Sequence, residues 1–140
     1  MSKVIEFFIY GKPTAKGRPR FTRSGRTYTP AKTREAENVL LKAYLLTTKS
    51  KAATDLPVSI ELTATFQPPK SWSKAKQAQA LAGELEHTSR PDFDNLAKLI
   101  DGLNGYAWLD DSQIFSAKVL KKYGQIASTH IRITIHERNK

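Results

Sequence analysis

Residues 57–66, PVSIELTATF, constrain the fold more than any other stretch of the chain. Val58, Ile60, Leu62 and Ala64 alternate with polar partners, and a period of two places one set of side chains on one face of an extended strand. Such a strand must bury its apolar face against another layer. The covering elements lie on either side in sequence. Thr29 and Pro30 form a helix start, with threonine as the cap and proline at the first helical position. That helix is expected to run to about Thr47, with Val39, Leu40, Ala43 and Leu46 as its apolar stripe, joined by Ala36 and Tyr44. A second helix is expected over about 95–104, where Leu96, Leu99, Ile100 and Leu103 keep the i, i+3, i+4, i+7 spacing.

Other segments complete the outline. Residues 3–10, KVIEFFIY, read as a first strand, and 21–29, FTRSGRTYT, as a small hairpin turning at Ser24–Gly25. Ser71 is placed to cap a short, weakly amphipathic helix over roughly 72–82. Residues 113–122 and 126–136 read as two strands joined by a tight turn at Tyr123–Gln125. Strands and helices interleave, with hairpins at both ends. The expected class is α/β (α+β): one mixed sheet with helices packed on it. At 140 residues, with no internal repeat or linker, the chain is expected to form one domain over 1–140. No apolar run approaches the roughly 18 residues of a membrane span, and the start, MSKVIEFFIYGKP, does not read as a secretory signal. Cysteine is absent, which excludes disulfides, thiolate zinc sites and a cysteine nucleophile, and is compatible with a cytoplasmic protein.

Charge points towards function. Lys and Arg number 23 against 13 Asp and Glu, a net +10, so a polyanion, most commonly nucleic acid, is the expected partner. The distribution is uneven. Residues 1–35 hold nine basic and two acidic residues, whereas residues 83–111 hold two basic and seven acidic ones. Carboxylates repel phosphates, so a protein that only bound a phosphate backbone would gain nothing from a concentrated acidic block. A basic body around an acidic centre suggests a metal-dependent enzyme acting on nucleic acid.

The densest constellation is RPDFDNLAKLIDGL, residues 90–103. If the chain stays extended up to the helix, Asp92 and Asp94 at i and i+2 point the same way. Two adjacent carboxylates then share a proton or hold a cation, and oxygen-only ligands favour Mg²⁺ or Mn²⁺. The plainer reading makes Asp94 a helix cap and Asp92 a solvated loop residue. Lys98, four residues after Asp94, falls on the same helix face. It is either a surface ion pair or an ammonium placed to hold a phosphate or stabilise a leaving oxygen. A second acidic point is WLDD, Trp108–Asp111. Consecutive Asp side chains on extended backbone diverge, so one of Asp110 and Asp111 could join the first pair while the other serves a turn or cap.

The run D-x-D-N-x-x-K opening a helix, followed by D-D before a strand, resembles the RusA family of Holliday-junction resolvases, small endodeoxyribonucleases often carried by prophages. The matching pieces are PDFDNLAKLIDGLNG, WLDDSQI and the strand ending in KKY, with GKPTAKGRPRF similar to an N-terminal form of that family. The middle, about 45–85, contributes little. The resemblance implies a RusA-like fold and catalytic carboxylates at Asp92, Asp94 and Asp111. It implies a catalytic lysine at Lys98, with Mg²⁺ or Mn²⁺ held by the three aspartates. It further implies a homodimer that nicks two symmetry-related strands of a four-way DNA junction, in recombination and repair. The setting would be the cytoplasm of a bacterium, in a host or prophage role. Gly102 departs from the family, which more often has Ala there. By propensity this weakens the helix by about 1 kcal/mol.

The basic segment carries Lys12, Lys16, Arg18, Arg20, Arg23 and Arg26, which are expected to line the path of a DNA backbone. It has no G-x-x-x-x-G-K-[ST] phosphate loop. Phe21 and Tyr28 are expected to pack the hairpin. His87, His130 and His136 show no metal spacing, and His87 is expected at the surface. Trp72 and Trp108 are expected in packing roles, Trp108 anchoring the loop that carries Asp111. Two other readings stay open: a nuclease for other branched DNA such as flaps or forks, and a non-catalytic nucleic-acid-binding or phage assembly protein.

Overall fold

The computed structural model describes residues 2–14, 20–21, 27–28, 31–49 and 51–137. The chain runs β1 (Ser2–Tyr10), β2 (Arg20–Phe21), β3 (Thr27–Tyr28), α1 (Ala31–Thr48), β4 (Val58–Phe66), α2 (Lys74–Leu81), α3 (Phe93–Lys98), β5 (Ile114–Tyr123) and β6 (Ser128–His136). A 3₁₀ segment, Leu99–Leu103, continues α3, and a short 3₁₀ turn, Asp111–Gln113, precedes β5. Four strands form one sheet in the order β1-β6-β4-β5. The β1/β6 and β4/β6 pairs are antiparallel and β4/β5 is parallel, so the sheet is mixed, as expected. β2 and β3 pair antiparallel as the expected hairpin. The turn at Ser24–Gly25 and the helix start at Thr29–Pro30 lie outside the described residues.

One expectation fails in an informative way. β5 and β6 follow each other closely, yet they do not form a hairpin. β4 lies between them, parallel to β5 and antiparallel to β6. The connection therefore steps over the end of β4, with Gly124 N–H donating to Phe66 O at 2.9 Å and Gln67 Nε2 donating to Gln125 O at 2.8 Å. A β-carbon at Gly124 would come within 2.5 Å of the Thr65 methyl. Glycine is what lets the crossing pass this close. Local turn signals report that a chain reverses, not which strand it pairs with next.

Helices cover one face of this sheet. Val58, Ile60, Leu62, Ala64 and Phe66 all point inward, and so do Ile131, Ile133 and Ile135 of β6. Leu40 and Tyr44 of α1 pack on them with Leu96, Leu99 and Leu103, and Phe7 meets Tyr44 edge to face. The stripe on α1 is rotated from the expected one. Leu40 and Tyr44 are buried while Val39 and Leu46 are exposed, because the neighbouring 3₁₀ segment approaches from one side and sets which residues are covered. Gly102 makes that approach possible, since a β-carbon there would lie 3.0 Å from Glu37 Cβ and 3.3 Å from Glu37 Cα. The glycine is thus a packing device, not a simple loss of propensity. Ser73, rather than Ser71, caps α2, its side chain accepting from Lys76 N–H at 3.2 Å.

Candidate active site

The acidic residues are carried by the loop that enters α3. Asp92 occupies the helix cap position with extended backbone (φ −68°, ψ 149°), but its side chain makes no capping hydrogen bond. The helix begins at Phe93, two residues earlier than expected. Asp94 therefore sits in the first helical turn, and the expected alignment of Asp92 with Asp94 along an extended strand does not hold, since residues on a helix advance about 100° each. Unpaired peptide N–H groups of that turn still favour an anion at Asp94. Both aspartates are exposed, as is Phe93 between them. Lys98 Nζ lies 3.9 Å from Asp94 Oδ2, and the two side chains are 56% and 50% exposed. At that exposure the pair adds little stability. The plainer reading is corrected in one respect: Asp92, not Asp94, takes the cap position, while the Asp92 side chain is solvated as that reading had it.

The loop itself is held from β5. Lys121 Nζ donates to Ser89 O at 2.7 Å and to Pro91 O at 2.9 Å. Ala64 faces Lys121 across the parallel pair, so the lysine rises from the core face of the sheet towards the loop. Sequence reasoning noticed the KKY strand only through the resemblance. A lysine on the inward face of an edge strand was the available signal. His87, in the same loop, corrects another expectation: it is buried, not at the surface. Its ring stacks on Phe66 at 4.1 Å and 21° and lies 4.9 Å from Tyr123. Nδ1 is buried without a hydrogen-bond partner. Burial, and secondarily the charge of Lys121, lower its pKa from the ordinary 6.5.

At the second acidic point one aspartate serves a cap, as expected, but the other does not join Asp92 and Asp94. Asp110 forms a capping box with Gln113: Asp110 N–H donates to Gln113 Oε1 at 2.9 Å, and Ser112 Oγ donates to Asp110 Oδ2 at 2.7 Å. The Ser112 hydrogen bond is the leading cause that lowers the Asp110 pKa. Asp111 opens the 3₁₀ turn and is exposed. Trp108, fully buried, anchors this loop as expected, with Nε1 donating to Asn104 Oδ1 at 2.5 Å and Leu109 N–H donating to Thr54 O at 3.2 Å. The loop is thereby tied to the segment that leads into β4, and Gln113 Nε2 adds bonds to Thr54 O and Leu56 O, each at 2.9 Å.

These anchors place the two acidic points differently. Pro91 is held beside Lys121, near the end of β5, whereas Asp111 precedes its beginning. From Ile114 to Lys121 is about 23 Å of extended strand. Among the described residues, no three His, Cys, Asp or Glu side chains gather to hold a metal ion. The donor chemistry of Asp92, Asp94 and Asp111 suits a hard divalent cation, but one chain does not present the three as a ready-made cage.

Of the expected DNA-binding residues, Lys12 is exposed and lines a cleft with Tyr10, Glu35, Pro91 and Leu99, which brings the start of the basic segment beside the acidic loop. Arg20 is described through its backbone in β2, while Lys16, Arg18, Arg23 and Arg26 lie outside the described residues. His130 and His136 have local partners, Glu6 Oε1 at 2.5 Å and Ser59 Oγ at 2.8 Å. Among the described residues, no helix is long and apolar enough to cross a membrane.

Comparison with known proteins adds two findings. Residues 10–135 match the family described as Endodeoxyribonuclease RusA. The chain is also 34% identical over 137 residues to the uncharacterized protein YqaN of Bacillus subtilis (strain 168), covering 92% of this chain and 94% of that protein.

Proposed function

Because this chain belongs to the RusA family of endodeoxyribonucleases, we propose that it is a divalent-metal-dependent nuclease resolving four-way DNA junctions by paired symmetric nicks. The observation that carries the reading is the exposed Asp92–Asp94 pair, unspent in helix capping, with Lys98 Nζ 3.9 Å from Asp94. Exposed carboxylates that cap no helix, beside an exposed lysine in a chain of net charge +10, suit a cation-assisted reaction on phosphates.

In this proposal Asp92 and Asp94 are the carboxylates that meet Mg²⁺ or Mn²⁺. Asp111 is proposed as a third carboxylate on the resemblance alone; within one chain it lies about a strand's length, roughly 23 Å, from the α3 entrance. The ion, when bound, offsets phosphate charge and supplies an activated water. Lys98 stabilises negative charge on the reacting phosphate or the departing oxygen. Lys12, with Lys16, Arg18, Arg20, Arg23 and Arg26, follows the DNA backbone. A homodimer suits the two-fold symmetry of the junction, which needs two cuts. The proposed setting is DNA recombination and repair in a bacterial cytoplasm, from a host or prophage gene.

The test is a gel assay on a labelled four-way junction and a matched linear duplex, with Mg²⁺, with EDTA and with Asp92→Asn. Paired nicks confined to the junction, lost in EDTA and in the variant, are the expected result. Cleavage of flaps or forks instead would favour a nuclease for other branched DNA. Binding without cleavage under either metal would leave a nucleic-acid-binding protein.

A further inference from the structure

Residues 67–82, QPPKSWSKAKQAQALA, hold three lysines and no acidic residue. They form the excursion that leaves β4 and returns to the acidic loop, with α2 at its centre. Lys70, Lys74 and Lys76 are exposed. Among the described residues, no carboxylate pairs with any of them. α2 itself buries only Ala80. A helix this short is marginal in water on its own, and a polar surface helix is ordinarily steadied by i,i+4 pairs of opposite charge. Here Ala78 and Ala80 stand four residues after Lys74 and Lys76, so the lysines are not spent on the helix that carries them.

The excursion is nevertheless braced. Gln77 Nε2 donates to Trp72 O at 2.8 Å, and Trp72 N–H donates to Pro69 O at 3.1 Å. Lys76 Nζ lies 4.1 Å from the centre of the Trp72 ring, and Trp72 meets Tyr123 of β5 edge to face at 5.4 Å. Tyr123 also packs on His87, in the loop that leads to Asp92. Three cations held on a fixed platform lose less freedom on binding a ligand than cations on a loose chain. Their place in the fold identifies that ligand. Tyr10, Ser128, Thr65 and Lys122 share one row across the sheet, so the last residues of β1 and β5 lie at the same end. β1 and β5 are the two edges, roughly 14 Å apart by strand spacing. Lys12 follows β1 and lines a cleft with Pro91, Pro91 is bonded to Lys121 of β5, and α2 is joined to β5 through Trp72 and Tyr123. The acidic loop therefore emerges between two cationic elements. Cations on one side alone would draw a phosphate backbone past the loop, whereas cations on both sides hold it across the carboxylates. The separation is comparable with the roughly 12 Å width of a major groove, so the two elements reach phosphates of different strands.

We infer that α2 and the turn before it form a second DNA-backbone surface, with Lys70, Lys74 and Lys76 binding phosphates on the opposite side of the acidic loop from Lys12. The inference rests on the reading of DNA as the substrate and adds a contact surface that the N-terminal basic segment does not supply. It also gives the excursion a reason to keep a helix with almost nothing buried beneath it: the helix holds lysines in place for a polyanion, not an apolar face for the core.

The experiment is binding of a labelled four-way junction by the full chain in EDTA, followed by fluorescence anisotropy across a salt series, with circular dichroism to verify folding. Each phosphate contact on a duplex contributes about 0.9 to the slope of log affinity against log salt. Lys70→Gln/Lys74→Gln, which leaves Lys76 on Trp72, should lower that slope by about 2 and weaken binding at least about tenfold near physiological salt. Adding Lys76→Gln should lower the slope by about one more. Lys3→Gln/Lys51→Gln removes the same charge at the opposite end of the sheet, beside Leu109, and should leave the slope within about 0.5 of wild type. Equal losses in the two double variants would make the effect one of net charge and overturn the inference. A wild-type slope and affinity in Lys70→Gln/Lys74→Gln overturns it outright and leaves the lysines to a partner other than DNA. A wild-type chain that binds no junction overturns the inference together with the DNA substrate. Binding with the expected slopes but no cleavage under Mg²⁺ retires the nuclease reading alone and leaves this surface standing.

Discussion

Lys121 Nζ on β5 lies 2.9 Å from the carbonyl oxygen of Pro91, the residue immediately before Asp92. With its second bond to Ser89 O, this ammonium fixes the backbone that delivers the acidic pair to the surface. Removing it should loosen the loop without touching a carboxylate. Lys121→Met is expected to cost about 1.5–3 kcal/mol of stability, the range for hydrogen bonds to a charged group. It should lower the junction cleavage rate more than junction affinity, with partial recovery in Lys121→Arg. Urea unfolding and single-turnover cleavage check both parts, and an unchanged rate in a destabilised Lys121→Met would make the lysine purely structural.

Asp92→Asn and Asp94→Asn should separate catalysis from stability. Asp92 makes no capping bond, so its amide variant should unfold within about 0.5 kcal/mol of wild type. Cleavage should fall by about a hundredfold or more, as expected for loss of a metal-binding or charge-stabilising group. Lys98→Ala should show a loss of similar order, about a hundredfold, with junction affinity largely kept. Thermal melts beside single-turnover rates decide the matter, and a Lys98→Ala enzyme at full rate removes that lysine from the catalytic set.

The two aspartates of WLDD should behave oppositely. Asp110 holds the capping box with Gln113 and the Ser112 hydroxyl, so Asp110→Ala should lower the melting temperature first. Asp111→Asn should leave the melting temperature alone and lower cleavage. The reverse pattern would transfer the proposed catalytic role to Asp110.

His87 should impose a pH dependence on stability. Its folded pKa is lowered by burial and by Lys121, so the unfolded chain binds the proton first as pH falls. Stability from this residue is complete above the unfolded value near 6.5 and declines as pH drops from there towards the lowered folded value. His87→Phe keeps the stack on Phe66 and Tyr123 and should flatten the slope in that window. Urea midpoints measured across it provide the check, and equal slopes in the two proteins would assign the dependence to other groups.

Two glycines should resist replacement by alanine for steric reasons. Gly124→Ala puts a β-carbon 2.5 Å from the stiff Thr65 side chain and should destabilise by about 1–3 kcal/mol. Gly102→Ala meets Glu37 Cβ at 3.0 Å and its Cα at 3.3 Å. The alanine that helix propensity favours by about 1 kcal/mol should therefore cost a similar amount here. A more stable Gly102→Ala protein would show that α1 can retreat.

The sequence by itself determined the periodic elements and the chemical character of the site. Val58–Ala64 and Leu96–Leu103 announce their buried faces because burial repeats with the period of the strand or helix. Asp92, Asp94, Lys98 and Asp111 were legible as candidates because their spacing opens a helix and precedes a strand, in a pattern that resembles the RusA family. Only the tertiary structure decided which residues meet across the fold. It set β4 between β5 and β6, turned Leu40 and Tyr44 inward instead of Val39 and Leu46, buried His87 between Phe66 and Tyr123, and tied Lys121 to Pro91. It also gave Gly102 a reason that propensity lacks. Each of these depends on contacts between residues far apart in the chain, and no local period or propensity encodes which distant partner a side chain will find.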